Sequence, residues 1–433
     1  MELRTSDLAT ALRGRLDGPD ATVDGASHDS RAIAAGQLFI PIVAGRDGHE
    51  FIEAALASGA AAYLTTGPVP GGTAIVVSDT IAALQAAGRH ARSLLPDLVV
   101  GVTGSVGKTS VKDLLAAVLA TTMTTAASER SFNNELGVPL TLLNAPDGTE
   151  AVVVEMGARG VGHIAELCAI AAPTIGIVTR VAAVHAEAFG SLEDVARAKG
   201  ELIEALPASG TAILNAADPA VAAMAGRTAA RAVTYGRGGE VRADEVVLAE
   251  DLRARFVLRS PWGDVEVTMA VRGLHQVENA LAAASAALAC GVDLVDVSAG
   301  LAGAALSPWR MELATSSSGA RILNDAYNAN PTSMAAALDA LAALPATRRT
   351  AIVGVMAELG QREAADHAVI GEQARGLGIR LIAVAAPAYG GEDTASVDEA
   401  LALLGEIDER DAILIKGSRV AGLEVLAATL LHR

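Results

Sequence analysis

Residues 98–119 read LVVGVTGSVGKTSVKDLLAAVL, and the interpretation of the whole chain starts from this stretch. Its first five residues are apolar without a helical period, which predicts a buried strand. Gly104 and Gly107 interrupt the apolar run, and Lys108 opens a segment whose apolar residues recur at helical spacing. The pattern therefore predicts a strand, a phosphate-binding loop and a helix in direct succession.

The loop has the residue types that a nucleotide triphosphate requires. Its backbone N–H groups can turn inward around phosphate oxygens, next to the positive end of the helix dipole. Lys108 is expected at the β- and γ-phosphates, and the Thr109 hydroxyl at Mg²⁺. The motif is imperfect, because Val102 stands where the general pattern has its first glycine. An ordinary glycine-rich turn with a surface lysine is the alternative, but the flanking strand and helix favour an ATP site.

Composition narrows the class of protein. A chain of 433 residues exceeds a single core, so about three domains are expected. Hydrophobic residues make up 51% but aromatic residues only 3%, which favours alanine-rich helices packed on parallel strands, an α/β composition. A net charge of −17 argues against a nucleic-acid or anionic membrane surface, because neutralising phosphates requires clustered Lys and Arg.

The sequence also bears on the compartment. The N-terminal residues show no secretory signal, and no apolar run is long enough to span a membrane. Cys168 and Cys290 stand alone, which fits a reducing environment and argues against a cysteine metal site. We therefore expect a cytoplasmic protein with no membrane span and no nucleic-acid partner. A monomer is also expected.

Three regions are predicted along the chain: residues 1–97, 98–308 and 309–433. The first has short strands, at 37–43 and 74–77, and a helix at 82–95. The second alternates strands and helices as in a doubly wound, mostly parallel sheet, followed by an antiparallel β insert at 241–270 and helices at 281–289 and 295–306. The third repeats the alternation as a Rossmann-like unit without a phosphate loop of its own. Predicted strands of the second and third regions are 98–103, 151–156, 174–179, 212–215, 232–235, 321–325, 350–355, 379–384 and 412–416.

Several polar residues stand near the predicted carboxyl ends of the central strands. Glu155 ends an apolar strand, where an unpaired carboxylate would be costly to bury, so a metal cation is a plausible partner. His185 follows the next strand, and its position near Glu155 favours a functional over a structural role. Lys199 would be repelled by Mg²⁺ unless its amine were carbamylated; the residues alone predict a solvated helix lysine.

Other polar residues are clustered in otherwise apolar surroundings. The segments SFNNE (131–135), HQVEN (275–279) and DAYNANP (325–331) can bind base, ribose or phosphate groups, or can serve as helix caps and turns. In the first region, Asp29, Ser30 and Arg31 form an Asp-Ser-Arg turn near a strand. It could bind a sugar-nucleotide, although a turn with a surface ion pair is the simpler interpretation.

Taken together, these motifs resemble the muramyl ligase family, the ATP-dependent amide-forming enzymes of peptidoglycan precursor synthesis. The resemblance covers nearly the whole chain, from HDSR and GRDGHEF through TGSVGKTS, VVEMGARG and GLHQVENALAA to DAYNANPTSM and IKGSR. DAYNANPTSM is the most specific of them, since sister ligases usually carry a different segment there. The resemblance implies a UDP-binding first domain, a central ATPase and a C-terminal domain that closes on ATP, with UDP-N-acetylmuramoyl-tripeptide and D-alanyl-D-alanine as substrates.

The resemblance also implies roles for individual residues. It implies catalytic roles for Lys108, Glu155, His185 and Lys199. It places the nucleotide at Thr103, Gly104, Ser105, Gly107, Lys108, Thr109, Ser110, His275, Asn279, Arg310, Asp325 and Asn328. It places Mg²⁺ at Thr109, Glu155, His185 and a carbamylated Lys199. It places the substrates at Asp29, Ser30, Arg31, Gly45, Arg46, Asp47, Gly48, His49, Asn133, Asn134, Tyr327, Asn330 and Lys416.

Three residues depart from the family pattern: Gln276 and Ser131 each replace an Asn, and Arg180 replaces an asparagine found before His185. None of these changes removes a phosphate or metal residue. The alternatives are a sister muramyl or folylpolyglutamate-type ligase that adds a single amino acid, and a nucleotide-dependent switch. The sequence lacks the NKxD segment that reads guanine, which argues against the switch.

Overall fold

The computed structural model describes residues 1–129, 131–182 and 189–432 as an α/β protein with five sheets. Each sheet is built from strands of a single part of the chain, which is residues 2–76, 99–272 or 312–416. The predicted α/β class is confirmed. Helices of the described residues span Thr5–Ala11, Ile52–Ala57, Thr80–Leu94, Lys108–Leu119, Gly137–Leu143, His163–Ala171, Leu192–Glu204, Pro219–Ala222, Gln276–Ala289, Leu294–Gly303, Pro331–Ala343, Glu363–Gly376, Val397–Leu404 and Glu424–Leu431.

The first part of the chain carries two small sheets. Glu2–Arg4 pairs antiparallel with Thr22–Asp24. The five-stranded sheet has the order Arg15–Asp17, Ala74–Val76, Ala62–Thr65, Leu38–Phe39, Ala26–Ser27, and only its first pair is antiparallel. The helix Thr80–Leu94 begins where the Asp79 carboxylate accepts the N–H groups of Ile81 and Ala82, and it packs on the helices Gly137–Leu143 and His163–Ala171. This helix contact joins the first part of the chain to the next.

The central sheet is wholly parallel. Its six strands have the order Arg231–Tyr235, Thr211–Asn215, Ile175–Val178, Val99–Thr103, Ala151–Glu155, Thr125–Ala127. Their side chains are buried almost throughout, as expected for a parallel sheet covered by helices on both faces. One face packs against the helices Lys108–Leu119 and Gln276–Ala289 through a continuous apolar core.

The predicted antiparallel insert is present as a three-stranded sheet of Arg242–Leu248, Arg253–Ser260 and Gly263–Arg272. The apolar side chains of its last two strands alternate with exposed ones, which is the pattern that the sequence predicts. The helix Leu294–Gly303 packs on Gly263–Arg272 and on Lys108–Leu119, so the insert is anchored to the helix that follows the phosphate loop.

The last sheet is mostly parallel. Its order is Glu312–Thr315, Arg321–Asn324, Asp411–Lys416, Arg348–Val353, Arg380–Val384, Glu392–Thr394, and only the first strand runs antiparallel to its neighbour. The helices Pro331–Ala343 and Glu363–Gly376 cover one face, and Val397–Leu404 and Glu424–Leu431 the other. Among the described helices, none has both the length and the apolar character needed to cross a membrane.

Candidate active site

The phosphate loop lies at the topological switch point of the central sheet. Strand Val99–Thr103 has Ala151–Glu155 on one side and Ile175–Val178 on the other. Connections leave in opposite directions on the two sides, so a crevice opens beyond the carboxyl end of this strand. Residues 104–107 form the loop, and the helix Lys108–Leu119 begins directly after it.

Two positions of this loop must be glycine, because side chains of other residues lie too close for a Cβ. Gly104 has φ of +144°, and a Cβ there would lie 1.9 Å from Thr179 Oγ1. Gly107 has φ of +88°, and a Cβ would lie 2.6 Å from Asn279 Oδ1. Both the backbone conformation and the available space therefore exclude a larger residue.

Lys108 projects from the first turn of the helix into the crevice. Its Nζ donates to the Gly104 carbonyl oxygen at 2.8 Å, so the ammonium folds back over the loop. Burial lowers the pKa of the Lys108 ammonium, an effect that the nearby Glu155 carboxylate opposes and the Arg310 guanidinium reinforces. The cation thus stands where phosphate charge would offset the penalty of its burial.

The Glu155 side chain ends the neighbouring strand and is 1% exposed. Its Oε1 accepts a hydrogen bond from Asn133 Nδ2 at 2.7 Å, whereas Oε2 has no hydrogen-bond partner among the described residues. A buried carboxylate oxygen without a donor matches the oxygen ligands that Mg²⁺ prefers. The side chains around the loop therefore fit a metal–nucleotide complex.

Lys199 lies on the helix Leu192–Glu204 and is 3% exposed. Burial, assisted by the charge of Lys108, lowers the pKa of its amine to about 7. An uncharged amine is the form that can react with CO₂, so the environment fits carbamylation. His185 lies outside the described residues. Within the described part of the chain, no cluster of three or more His, Cys, Asp or Glu side chains could hold a metal, and the predicted ligand set stays a prediction.

A cavity of about 1250 Å³ joins the phosphate loop to the last sheet. Residues from three parts of the chain line it, including Gln85 from the helix Thr80–Leu94. The predicted site residues that line it are Ser105, Gly107, Lys108, Thr109, Ser110, Asn133, Asn134, Glu155, Lys199, His275, Asn279, Arg310, Asp325, Tyr327, Asn328, Asn330 and Lys416. Thr103 lies just beneath the loop, where its hydroxyl donates to the Met156 carbonyl oxygen at 2.8 Å.

Asp325 organises the side of the cavity formed by the last sheet. Its Oδ2 accepts from Lys416 Nζ at 2.5 Å, and its Oδ1 accepts from the Met311 backbone N–H at 3.1 Å. Lys416 Nζ also donates to the Asn328 carbonyl oxygen at 2.9 Å. Burial lowers the pKa of His275 across the cavity, with the Asp325 charge acting in the opposite direction. Asp325 therefore connects the Met311 backbone to Lys416, at the carboxyl end of strand Asp411–Lys416.

Two predicted ligand-binding asparagines also accept backbone N–H groups where helices begin. Asn134 Oδ1 accepts the Gly137 N–H at 2.9 Å at the start of Gly137–Leu143. Asn330 forms a capping box with Ser333, where its Oδ1 accepts the Ser333 N–H at 2.9 Å. The cap-or-turn interpretation is thus correct for these two side chains: Asn330 caps a helix, and Asn134 closes a turn before one. Their contacts with ligands stay predictions.

Three consecutive residues, Ser131, Phe132 and Asn133, each contact a different part of the molecule. The Ser131 hydroxyl hydrogen-bonds the Tyr327 hydroxyl, which belongs to the last part of the chain. The Phe132 ring stacks edge-on against His28 of the first part, with 6.1 Å between ring centroids. Asn133 donates to the buried carboxylate described above. We call residues 131–133 the junction segment.

Two departures from the family pattern are engaged in side-chain contacts. Arg180 pairs with Glu278 through Nη2 and Oε2, 2.8 Å apart. Gln276 Oε1 accepts from Asn279 Nδ2 at 2.8 Å. Since Asn279 also approaches Gly107, Gln276 helps to orient the side chain that is predicted at the adenine.

The residues predicted to bind UDP do not line the main cavity. Arg31 pairs with Asp29 at 2.7 Å while remaining 88% exposed, as in the turn with a surface ion pair. Asp47 accepts the His49 N–H at 2.9 Å, and both side chains line a second cavity of about 530 Å³. The remaining residues of this prediction, Ser30, Gly45, Arg46 and Gly48, line neither cavity.

Sequence reasoning misses other side chains of the main cavity, namely Gln85, Arg159, His163, Glu166, Trp309, Thr332, Asp339 and Arg419. Trp309 carries the strongest available signal, because the chain has only two tryptophans and one of them follows a Ser-Pro turn. The others come together only through tertiary structure.

These features define a nucleotide-dependent enzyme: a phosphate loop at a topological switch point, a buried carboxylate beside it, and a large cavity between the central sheet and the last sheet. The chain belongs to the Mur ligase family: residues 102–287 match the Mur ligase middle domain, and residues 309–419 match the Mur ligase, glutamate ligase domain. It is 40% identical to the UDP-N-acetylmuramoyl-tripeptide–D-alanyl-D-alanine ligase of Mycobacterium bovis, over 99% of this chain and 98% of that protein.

Solved structures agree with this assignment. A crystal structure of MurF from Acinetobacter baumannii superposes with a TM-score of 0.90 at 29% identity, covering 100% of this chain and 99% of that one. The MurF ligase from Thermotoga maritima, in complex with ADP, gives a TM-score of 0.81 at 26% identity, over 94% of this chain and 97% of that one.

Proposed function

We propose that this protein uses ATP to join D-alanyl-D-alanine to UDP-N-acetylmuramoyl-tripeptide, forming the pentapeptide precursor of peptidoglycan. One observation carries the proposal: the phosphate loop and the DAYNANP segment line the same cavity. A nucleotide bound at Lys108 would therefore face a pocket on the last sheet. A relative matched along nearly its whole length is named for this reaction.

The three parts of the chain take separate roles in this proposal. Residues 1–97 bind the UDP group, residues 98–308 bind ATP, and residues 309–433 bind the dipeptide and close on the nucleotide. Asp47 and His49 beside the second cavity are candidates for the UDP site. A cytoplasmic location and a monomeric state stay predictions from the sequence.

The chemistry begins with transfer of a phosphoryl group. A terminal carboxylate oxygen of the tripeptide attacks the γ-phosphorus of ATP, the bond to the leaving ADP oxygen breaks, and an acyl-phosphate forms. Lys108 offsets the negative charge on the transferring oxygens, and the loop N–H groups hold the phosphates in line. Thr109, Glu155, His185 and carbamylated Lys199 would hold Mg²⁺, which supplies further charge neutralisation.

The second step forms the amide. The uncharged amine of the dipeptide attacks the acyl carbon, the carbon–oxygen bond to phosphate breaks, and the nitrogen releases a proton as phosphate leaves. Because both steps depend on bringing three substrates together, positioning by the cavity walls accounts for much of the rate.

The test measures phosphate release from ATP with Mg²⁺ and UDP-N-acetylmuramoyl-tripeptide, using D-alanyl-D-alanine or single D- and L-amino acids as acceptors. Dipeptide-dependent release with the matching pentapeptide product is expected. Release with single amino acids alone would assign the chain to a sister ligase. Hydrolysis independent of any acceptor would favour a nucleotide-dependent switch.

A further inference from the structure

Among the described residues, seven lysine and arginine side chains line the cavity, and one of those in residues 309–433 has no role yet. The seven are Lys108, Arg159, Arg180, Lys199, Arg310, Lys416 and Arg419. Only Arg310, Lys416 and Arg419 belong to residues 309–433, where the dipeptide is proposed to bind. These three are the candidates for any anionic group of the dipeptide.

Lys416 is already neutralised within the protein. Its side chain is 2% exposed, and its Nζ lies 2.5 Å from Asp325 Oδ2 and 2.9 Å from the Asn328 carbonyl oxygen. A second carboxylate at Lys416 would meet the negative charge of Asp325. Arg310 stacks on Tyr327, with 4.2 Å from its guanidinium carbon to the ring centroid, and is expected at the nucleotide.

Arg419 is held in a different way. It opens the short turn Arg419–Ala421, just beyond the carboxyl end of strand Asp411–Lys416. Its guanidinium carbon lies 4.2 Å from the centroid of the Trp309 ring, and its side chain is 54% exposed. Among the described residues, its ion-pair contact joins Nη1 to Glu424 Oε1 at 3.5 Å. This is longer than an ordinary hydrogen bond and longer than the 2.5 Å pair of Lys416 with Asp325.

This arrangement suits the recognition of a carboxylate. Stacking on an aromatic ring sets the plane of a guanidinium while leaving its N–H edge available. That edge can donate two parallel hydrogen bonds to one carboxylate. Val420 is next in the chain, lines the same cavity and is 78% exposed, so an apolar surface stands beside the charge.

We propose that Arg419 binds the C-terminal carboxylate of the acceptor dipeptide and so selects a dipeptide with a free carboxyl end. The inference rests on the proposed function. When the amine of the dipeptide attacks the acyl carbon, its carboxylate lies at the opposite end of the molecule. A guanidinium on the cavity wall suits that charge, because a bidentate arginine–carboxylate pair fixes the position of the carboxylate as well as binding it. Trp309 is then a positioning residue, because it acts through the Arg419 guanidinium.

The experiment compares D-alanyl-D-alanine with D-alanyl-D-alaninamide, which keeps the amine and lacks the negative charge. In the unmodified protein, amidation should lower kcat/KM by about 10- to 100-fold, the usual effect of losing a charged hydrogen bond. Arg419→Gln should lose about as much with the free dipeptide and should then treat the two acceptors alike, within about 3-fold. Its KM for ATP should stay unchanged.

Two further variants separate recognition from structure. Arg410→Gln removes another exposed arginine of the last sheet that does not line the cavity, and it should keep the preference for the free dipeptide. Arg419→Lys retains the charge and should restore part of the preference. Trp309→Leu should raise the KM for the dipeptide more than the KM for ATP.

Three outcomes would overturn the inference. One is equal use of both acceptors by the unmodified protein, a result that needs no variant to fold. The second is an Arg419→Gln protein that still prefers the free dipeptide. The third is a rise in KM for ATP alone, which would assign Arg419 to the nucleotide. Failure of the proposed function would look different, because the unmodified protein would then form no product with D-alanyl-D-alanine.

Discussion

Replacement of Gly104 by alanine should damage both the fold and the nucleotide site. A Cβ at this position would lie 1.9 Å from Thr179 Oγ1 and 3.1 Å from the Arg180 backbone nitrogen. A side chain held at φ of +144° costs about 1–3 kcal/mol. Thr179 must also move, giving up its hydrogen bond of 2.6 Å to the Val106 carbonyl oxygen, which adds about 1 kcal/mol. The expected loss in free energy of unfolding is therefore about 2–4 kcal/mol.

Urea unfolding of the Gly104→Ala protein measures this loss, and Gly148→Ala is its matched control. Gly148 has φ of +76°, but a Cβ there meets nothing within 4 Å, so only about 1–2 kcal/mol of backbone strain is expected. A non-hydrolysable ATP analogue should raise the Tm of the control and not that of Gly104→Ala. Equal losses in the two variants would refute the argument from close approach.

Three further predictions concern charged residues. Glu155→Gln should reduce the rate of ligation by about 100-fold or more. It should not lower the free energy of unfolding, because Glu155 Oε2 accepts no hydrogen bond among the described residues. Retained activity would contradict a metal or phosphate role. Because the pKa of Lys199 is lowered to about 7, the uncharged fraction of its amine, which reacts with CO₂, grows with pH. Activity should therefore rise between about pH 6 and 8 and should fall in CO₂-free buffer. Activity that does not depend on CO₂ would contradict carbamylation. Arg348→Ala leaves the Asp411 carboxylate, 9% exposed, without its arginine partner. It should lower the free energy of unfolding in urea more than Arg380→Ala does, because the Glu392 carboxylate of that pair is 45% exposed; the reverse order would refute this ranking by burial.

The central sheet is predictable because its signals are local. Apolar runs bounded by glycine and polar residues mark its strands to within one or two residues, as in Val99–Thr103 and Ala151–Glu155. The prediction of a strand at 37–43 is largely wrong: only Leu38–Phe39 pairs in the sheet. Pro41 lacks the N–H that continued pairing would need. The helix predicted from residue 281 begins five residues earlier, at Gln276. The prediction starts too late because the first turn of this helix is polar, faces the cavity and does not show the apolar helical period.

Short edge strands escape sequence analysis for another reason. Thr125–Ala127, Glu312–Thr315 and Glu392–Thr394 are three or four residues long, too short to show a period. They become strands only by pairing with a neighbouring strand of the sheet, and that pairing depends on tertiary context.

The site residues also differ in whether the local sequence identifies them. Lys108 is found from its motif and Glu155 from its place at a strand end, whereas Lys199 is found only through the family resemblance; the structure brings all three to one cavity. The residues alone predict a solvated lysine at this position, and that prediction is wrong, because the Lys199 side chain is 3% exposed. Trp309 and Arg419 are separated by more than a hundred residues. Arg419 ends the IKGSR motif, but nothing local to either residue predicts their contact. Their stacked contact is created by the packing of the last sheet, so no window of sequence contains it.

The junction segment has a mechanical consequence. Its neighbouring Cα atoms are about 3.8 Å apart, yet its side chains contact structures that belong to three separate stretches of the chain. The hydrogen bond between the Ser131 and Tyr327 hydroxyls survives only short displacements, since hydrogen bonds weaken steeply with distance. A hinge motion of the last sheet would therefore break this bond, two residues before the Asn133 side chain that donates to the Glu155 carboxylate. Opening and closing of this protein would therefore change the contacts of a segment that also supports the Glu155 carboxylate at the reaction centre.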